Sequence, residues 1–262
     1  MKFCSLLSSS SGNCTFLSSS RTSVLVDIGA SGKTVVQGLT EIGQPPEEVK
    51  AIFITHEHTD HIKGAGVFAR KYGTPIYATQ GTWKQMEKTV GAVPEQCIRI
   101  LDTNSLVSVG DIAVQPFSIP HDAVDPVGYS FYIDNQKITT ATDIGHISAE
   151  LEANLQGSHA VLLESNHDVA LLKGGPYPYA LKQRILSDYG HLSNENCAKL
   201  AVFLAKTGTK RFLLGHLSAE NNRPDLAYQA ACCQFEQAGA KVGYDVELCV
   251  APKATTSEVF SL

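Results

Sequence analysis

Six consecutive residues restrict this chain more than any other feature: His56-Glu57-His58-Thr59-Asp60-His61 follow directly on the apolar run Ala51-Ile52-Phe53-Ile54-Thr55. A short apolar run bounded by polar residues reads as a buried strand, and apolar residues three and four apart resume over 63–72. The HxHxDH pattern therefore sits where a strand hands over to a helix. Neutral imidazoles and a carboxylate are the ligands that zinc and manganese take, and close spacing on a sharp turn lets them diverge toward two ions. The competing reading is a solvated polar turn. With nine histidines in the whole chain, chance rarely sets three within six residues around an aspartate, so the pattern is read as a metal site.

The same periodicities organise the rest of the chain. Strand-type runs occur at 22–28, 51–55, 106–109, 112–117, 127–133, 137–141, 160–163, 210–214 and 246–250. Helical spacing appears at 32–42, 63–72, 82–90, 148–155 and 194–206, the last with Ser193 as N-cap and Cys197, Leu200, Ala201 and Leu204 on one face. Strands dominate both halves without strict alternation with helices, which predicts an α/β (α+β) chain of two packed sheets flanked by helices. At 262 residues and 43% hydrophobic the chain can bury a large core, and with no repeat or long polar linker it reads as a single domain over 1–262. The tract from Ser8 to Ser11, with Gly12 and Asn13, reads as a turn between two strands, with a phosphate nest as the alternative.

Composition limits the setting and the partners. A net charge of -5 excludes gripping a polyanion through overall basicity, so metal ions or a few clustered cations would have to do it. Seven cysteines without a CxxC pair (Cys4, Cys14, Cys97, Cys197, Cys232, Cys233, Cys249) suit buried core thiols in a reducing compartment. No signal-peptide region and no run near the roughly 20 apolar residues of a membrane span is evident, so a cytoplasmic protein without membrane contact is expected.

HxHxDH after a buried strand resembles the signature of the metallo-β-lactamase superfamily, and the resemblance extends over nearly the whole chain. That family's pattern continues with a histidine, an aspartate and a last histidine, each after a later strand. Here they are matched by His121 in Ile119-Pro120-His121, Asp143 in Ala141-Thr142-Asp143-Ile144-Gly145, and His216 in Leu213-Leu214-Gly215-His216. The resemblance implies an αβ/βα sandwich of two mixed β-sheets flanked by helices. It also implies two divalent ions, one held by His56, His58 and His121, the other by Asp60, His61 and His216, with Asp143 bridging. Zinc or manganese would suit these ligands, and iron is compatible too. Such a pair can make a bridging water a hydroxide nucleophile while polarising the scissile oxygen, and Asp60 would orient that hydroxide. The main β-lactam-hydrolysing branches lack a bridging aspartate, so antibiotic hydrolysis is not implied.

The segment between Asp143 and His216 narrows the substrate. It is too short for the inserted second domain of the β-CASP ribonucleases. Glu164-Ser165-Asn166-His167-Asp168, Lys173 to Arg184 and Gly190-His191-Leu192-Ser193-Asn194, together with the opening Ser-Ser-Gly-Asn, resemble the YycJ (WalJ) branch, whose relatives include RNase Z and the PhnP phosphodiesterases. That resemblance implies a 5'-to-3' exonuclease acting on DNA, with His191 assisting the leaving oxygen and His167 as a second candidate acid. Lys173, Lys182 and Arg184 add local positive charge. Tyr177 and Tyr179 can stack on bases or simply cover the core, and Asn166 is a candidate substrate or orienting residue. Two other functions are weighed: a small-molecule hydrolase of the same fold, acting on a cyclic phosphodiester, thioester or lactone, and a non-catalytic regulator. All seven ligand positions being filled disfavours the regulator, and no obligate protein partner is evident. His146, His159 and Trp83 are assigned no functional role.

Overall fold

The apolar run before the histidines is an inner strand of a seven-stranded sheet. The computed structural model describes residues 1–103 and 105–261. The first sheet is built from β1 (Lys2–Ser9), β2 (Gly12–Ser18), β3 (Ser23–Val26), β4 (Val49–Phe53), β5 (Ile76–Thr79) and β6 (Ile98–Leu101). The second comprises β7 (Val107–Val109), β8 (Ile112–Ser118), β9 (Val127–Ile133), β10 (Gln136–Ala141), β11 (Ala160–Glu164), β12 (Arg211–Gly215) and β13 (Glu247–Val250). The last strand, β14 (Phe260–Ser261), returns to the first sheet beside β1. The strand orders are β14-β1-β2-β3-β4-β5-β6 and β13-β12-β11-β10-β9-β8-β7. Both sheets are mixed: β3 to β6 run parallel, as do β10 to β13, and the remaining pairs are antiparallel.

Helices cover both outer faces. On the first sheet lie α1 (Gly32–Glu41), α2 (Thr59–Ile62), α3 (Ala65–Tyr72) and α4 (Gln80–Val90). The second half of the chain adds α5 (Ala149–Leu155), α6 (Val169–Gly174), α7 (Tyr179–Ile185), α8 (Asn194–Lys206) and α9 (Pro224–Gln237). Three buried clusters follow from this layering. Phe3, Val24, Phe53, Tyr129, Phe131 and Leu213 fill the space between the sheets. Leu25, Ile52, Phe68 and Met86 join the first sheet to its helices, and Leu163, Leu200, Phe212 and Phe235 join the second to α8 and α9. Strands buried on both faces read as unbroken apolar runs, as β3 and β11 do.

The expected two-sheet architecture is present, and its differences from expectation are local. The strands β5 and β6 were not anticipated, because four residues are too few to establish a period. The segment containing Tyr179, Lys182 and Arg184 is the helix α7, beginning directly after Pro178. The helix α9 was also unanticipated; it opens on Pro224 and buries only Ala227, Ala231 and Phe235. Not all cysteines are core residues: Cys4, Cys14, Cys97 and Cys197 are buried, but Cys232 and Cys249 are half-buried and Cys233 is exposed on α9. Ser10 and Ser11 form the turn between β1 and β2. Trp83 packs into the core with its indole N–H donating to Arg99 O, and His159 is exposed at the start of β11. Among the described residues, no helix is long and apolar enough to cross a membrane.

Candidate metal centre

Parallel strands send their carboxyl ends to one side, where α/β sheets bind ligands. The loops leaving β3, β4, β8, β10, β11 and β12 all deliver residues there: Asp27, His56 to His61, His121, Asp143, Glu164 and His216. The turn after β4 is held by the loop after β3. Ile28 N donates to His61 O at 2.8 Å and Gly64 N to Ile28 O at 2.8 Å. Gly29 is required for this approach, since a Cβ there would lie 1.5 Å from Asp60 O. Asp27, Asp143 and His216 hold left-handed backbone conformations (φ 59°, 61° and 56°), which non-glycine residues adopt at a cost.

The seven residues expected as ligands converge. Their ligand atoms fall into overlapping groups, each within 4.8 Å: His56 with His58 and His121; Asp60 with His61 and His216; and His56 with His61 and Asp143. Asp143 lies between the first two groups, with Oδ1 3.7 Å from His121 Nε2 and 3.6 Å from His216 Nε2, and Oδ2 3.4 Å from His61 Nε2. His56 Nε2, Asp143 Oδ2 and His216 Nε2 are buried polar atoms without a hydrogen-bond partner among the described residues. An unpaired buried polar atom costs about 1–3 kcal/mol, and three of them within one cluster of imidazoles and carboxylates suit a divalent cation.

Further residues orient these groups, and the sequence reading had missed their roles. Asp27 accepts from His61 Nδ1 at 2.8 Å and from Thr55 N and Oγ1, each at 2.9 Å. Glu164, fully buried at the end of β11, accepts at Oε1 from His191 Nδ1 and His216 Nδ1, both 2.8 Å. Its Oε2 accepts from Ile144 N at 2.6 Å and Leu192 N at 3.0 Å. His121 Nδ1 donates to Gly190 O at 3.1 Å. Such partners fix which ring nitrogen of His61, His121 and His216 is left to face a metal. The one sequence sign was a glutamate closing a wholly apolar strand.

Charge within the cluster is mutually compensated. Burial opposes charge on His61 and His216, but the carboxylates outweigh it, holding His61 well above the ordinary histidine range and His216 at about 10. Burial would likewise raise Glu164, yet His191 and His216 bring it down to about 2. Asp143, also buried, is held well below the carboxylate range by His216, His61, His56 and His121. Burial, reinforced by His61, keeps His56 neutral. The carboxylates thus demand positive charge at this point, a demand that metal cations satisfy.

The expected substrate residues separate into two sets. A cavity of about 450 Å³ opens over the cluster, and Asp60, Asn166, Tyr177, Arg184 and His191 line it together with Ser10, Thr59, Leu181, Ile185 and Ser218. The side chains of His191 and Asp60 are 18% and 25% exposed, against 1% for His216. Lys173, Tyr179 and Lys182 are not among the lining residues. Lys182 Nζ is committed to Lys173 O and Gly175 O, whereas Arg184 pairs with Asp122 through Nε and, half exposed, keeps its guanidinium at the cavity. Asn166 Nδ2 donates to His216 O at 3.0 Å, which makes it an orienting residue. His167 is buried outside the cavity lining, and burial lowers it to about 4. His146 is exposed and hydrogen-bonded to Asp188 O.

Comparison with known proteins agrees with this geometry. Residues 22–217 match the beta-lactamase superfamily domain. The chain is 43% identical over 249 residues to exodeoxyribonuclease WalJ of Streptococcus pneumoniae, covering 94% of this chain and 93% of that protein. It is 38% identical over 248 residues to exodeoxyribonuclease YycJ of Bacillus anthracis, covering 95% and 94%. The metallo-beta-lactamase fold protein YhfI of Bacillus subtilis superposes with a TM-score of 0.73 over 98% of both chains at 17% identity, a likeness of fold.

Proposed function

The chain belongs to the beta-lactamase superfamily, and from that premise we propose that it is a metal-dependent exodeoxyribonuclease using two divalent ions, zinc or manganese, and working 5'-to-3'. The observation that carries this reading is the convergence of seven imidazole and carboxylate residues around three orphaned buried atoms, on the floor of an open cavity. His56, His58 and His121 would hold one ion, Asp60, His61 and His216 the other, and Asp143 would serve both. When bound, two such ions polarise a phosphoryl oxygen and acidify water between them. DNA as the substrate follows the two exodeoxyribonucleases above, with which the chain aligns over nearly their whole length.

The chain's own residues supply orientation and proton transfer. Asp60, more exposed than His61 and His216, faces the cavity and accepts the proton of the attacking water. His191 also lines the cavity, and its Nδ1 is engaged by Glu164, which leaves Nε2 to protonate the departing oxygen. Glu164 acts as a positioning residue for His191 and His216 together.

The test is cleavage of end-labelled single- and double-stranded DNA, and of RNA, by the purified protein with added manganese or zinc, with Asp60→Ala as control. Stepwise shortening of DNA that vanishes in the variant is the expected result. Intact polymers in the presence of fully metallated protein would overturn the reading and turn attention to small phosphodiesters, thioesters and lactones.

A further inference from the structure

We infer that the cavity over the metal centre seats one unpaired nucleotide at a strand end, its phosphate toward Ser10 and Thr59 and its base against Tyr177, Leu181 and Ile185. A duplex end must therefore open by one base pair before it is cut. The inference rests on the exonuclease reading above and adds what that reading leaves open, the form of the substrate at the moment of cleavage.

The two sides of the cavity differ in chemistry. From the first sheet's loops come hydroxyls: Ser10 at the β1–β2 turn and Thr59 at the start of α2. From the second sheet's side, beside the polar Asn166, Arg184, His191 and Ser218, comes an apolar patch. Leu181 and Ile185 lie four residues apart on α7, hence on one face of that helix, and Tyr177 precedes it by two residues. Hydroxyls donate to phosphate oxygens, whereas an aromatic ring with aliphatic neighbours covers the flat face of a base and is indifferent to which base it is.

Of the segment's cations, Arg184 lines the cavity, where it adds a donor for phosphate and leaves the base against Tyr177, Leu181 and Ile185. Lys182 binds two backbone carbonyls of the α6–α7 connection, and Arg184 binds Asp122, the neighbour of His121. Together they tie α7 to both its own loop and the metal-side loop. A cavity of about 450 Å³ falls in the range that encloses small ligands, and it suits one nucleotide drawn out of the stack. Extracting a terminal nucleotide is easier when its pair is already broken.

The experiment uses the full chain loaded with manganese and duplexes identical except at the cleaved end: a matched pair, a mismatched pair, and the mismatched end with its terminal base deleted to an abasic site. Wild-type protein should cut the mismatched end on the order of tenfold faster than the matched one and lose that gain at the abasic end through a raised KM. Anisotropy with uncleavable phosphorothioate versions should give the same order of affinities. Leu181→Ser and Tyr177→Ser should each reduce the distinction between base-bearing and abasic ends. Equal rates and affinities at all three ends in the wild-type protein would overturn the inference while leaving the exonuclease standing; no cleavage of any DNA would overturn both.

Discussion

Replacing Glu164 by glutamine tests how far one buried carboxylate governs the metal centre. The carboxylate accepts four hydrogen bonds, two from the imidazoles of His191 and His216 and two from the backbone of Ile144 and Leu192. A glutamine of the same shape has a single acceptor oxygen. If that oxygen faces the backbone, the amide N–H groups meet both imidazole Nδ1 atoms, which must then move their protons to Nε2. For His216 that is the buried nitrogen with no partner, the one a metal ion requires. If the amide turns over, its N–H groups oppose two backbone donors. Either orientation removes at least two charge-assisted bonds, on the order of 3 kcal/mol before relaxation. Loss of such an orienting partner typically weakens metal affinity by about 10–100-fold, or about 1.4–2.7 kcal/mol. Competition against a chromophoric chelator should therefore show the ion at His216 weakened in Glu164→Gln, with urea unfolding of the metal-free protein at lower concentration. Two ions bound with wild-type affinity and unchanged unfolding would refute the argument.

Two further outcomes follow from the same geometry. His61 and His216 have raised proton affinities in the folded metal-free protein, so the stability they contribute is full below about pH 6.5 and for His216 fades as pH rises toward about 10. At pH 7 metal must therefore displace about two protons, measurable by titration calorimetry in buffers of different ionisation enthalpy; uptake without proton release would contradict these shifts. Gly29→Ala should destabilise the fold by more than about 3 kcal/mol, because the added carbon would coincide with the Asp60 carbonyl; a melting temperature within a degree of wild type would count against that close approach.

How far each feature was legible depends on how local its cause is. The convergence of the candidate metal ligands could be read from the chain because a metal site demands particular residue types, and the ends of buried strands place them at recognisable positions. Hence His56 to His61, His121, Asp143 and His216 converge as expected. Long alternating or wholly buried strands such as β9 and β11 were legible for a similar reason, since burial imposes a pattern on adjacent residues. The pairing of charges has no such local trace. Glu164 meets partners 27 and 52 residues away, and Asp27 meets His61 across 34. Lys182 looks in sequence like a cation offered to a phosphate, yet folding sets two backbone carbonyls within its reach, while Arg184 meets Asp122 across 62 residues, and Coulomb attraction acts on what is near in space. His167 carries the same imidazole as His191, but only the packing of α8 and its neighbours decided which is sealed away and which opens onto the cavity.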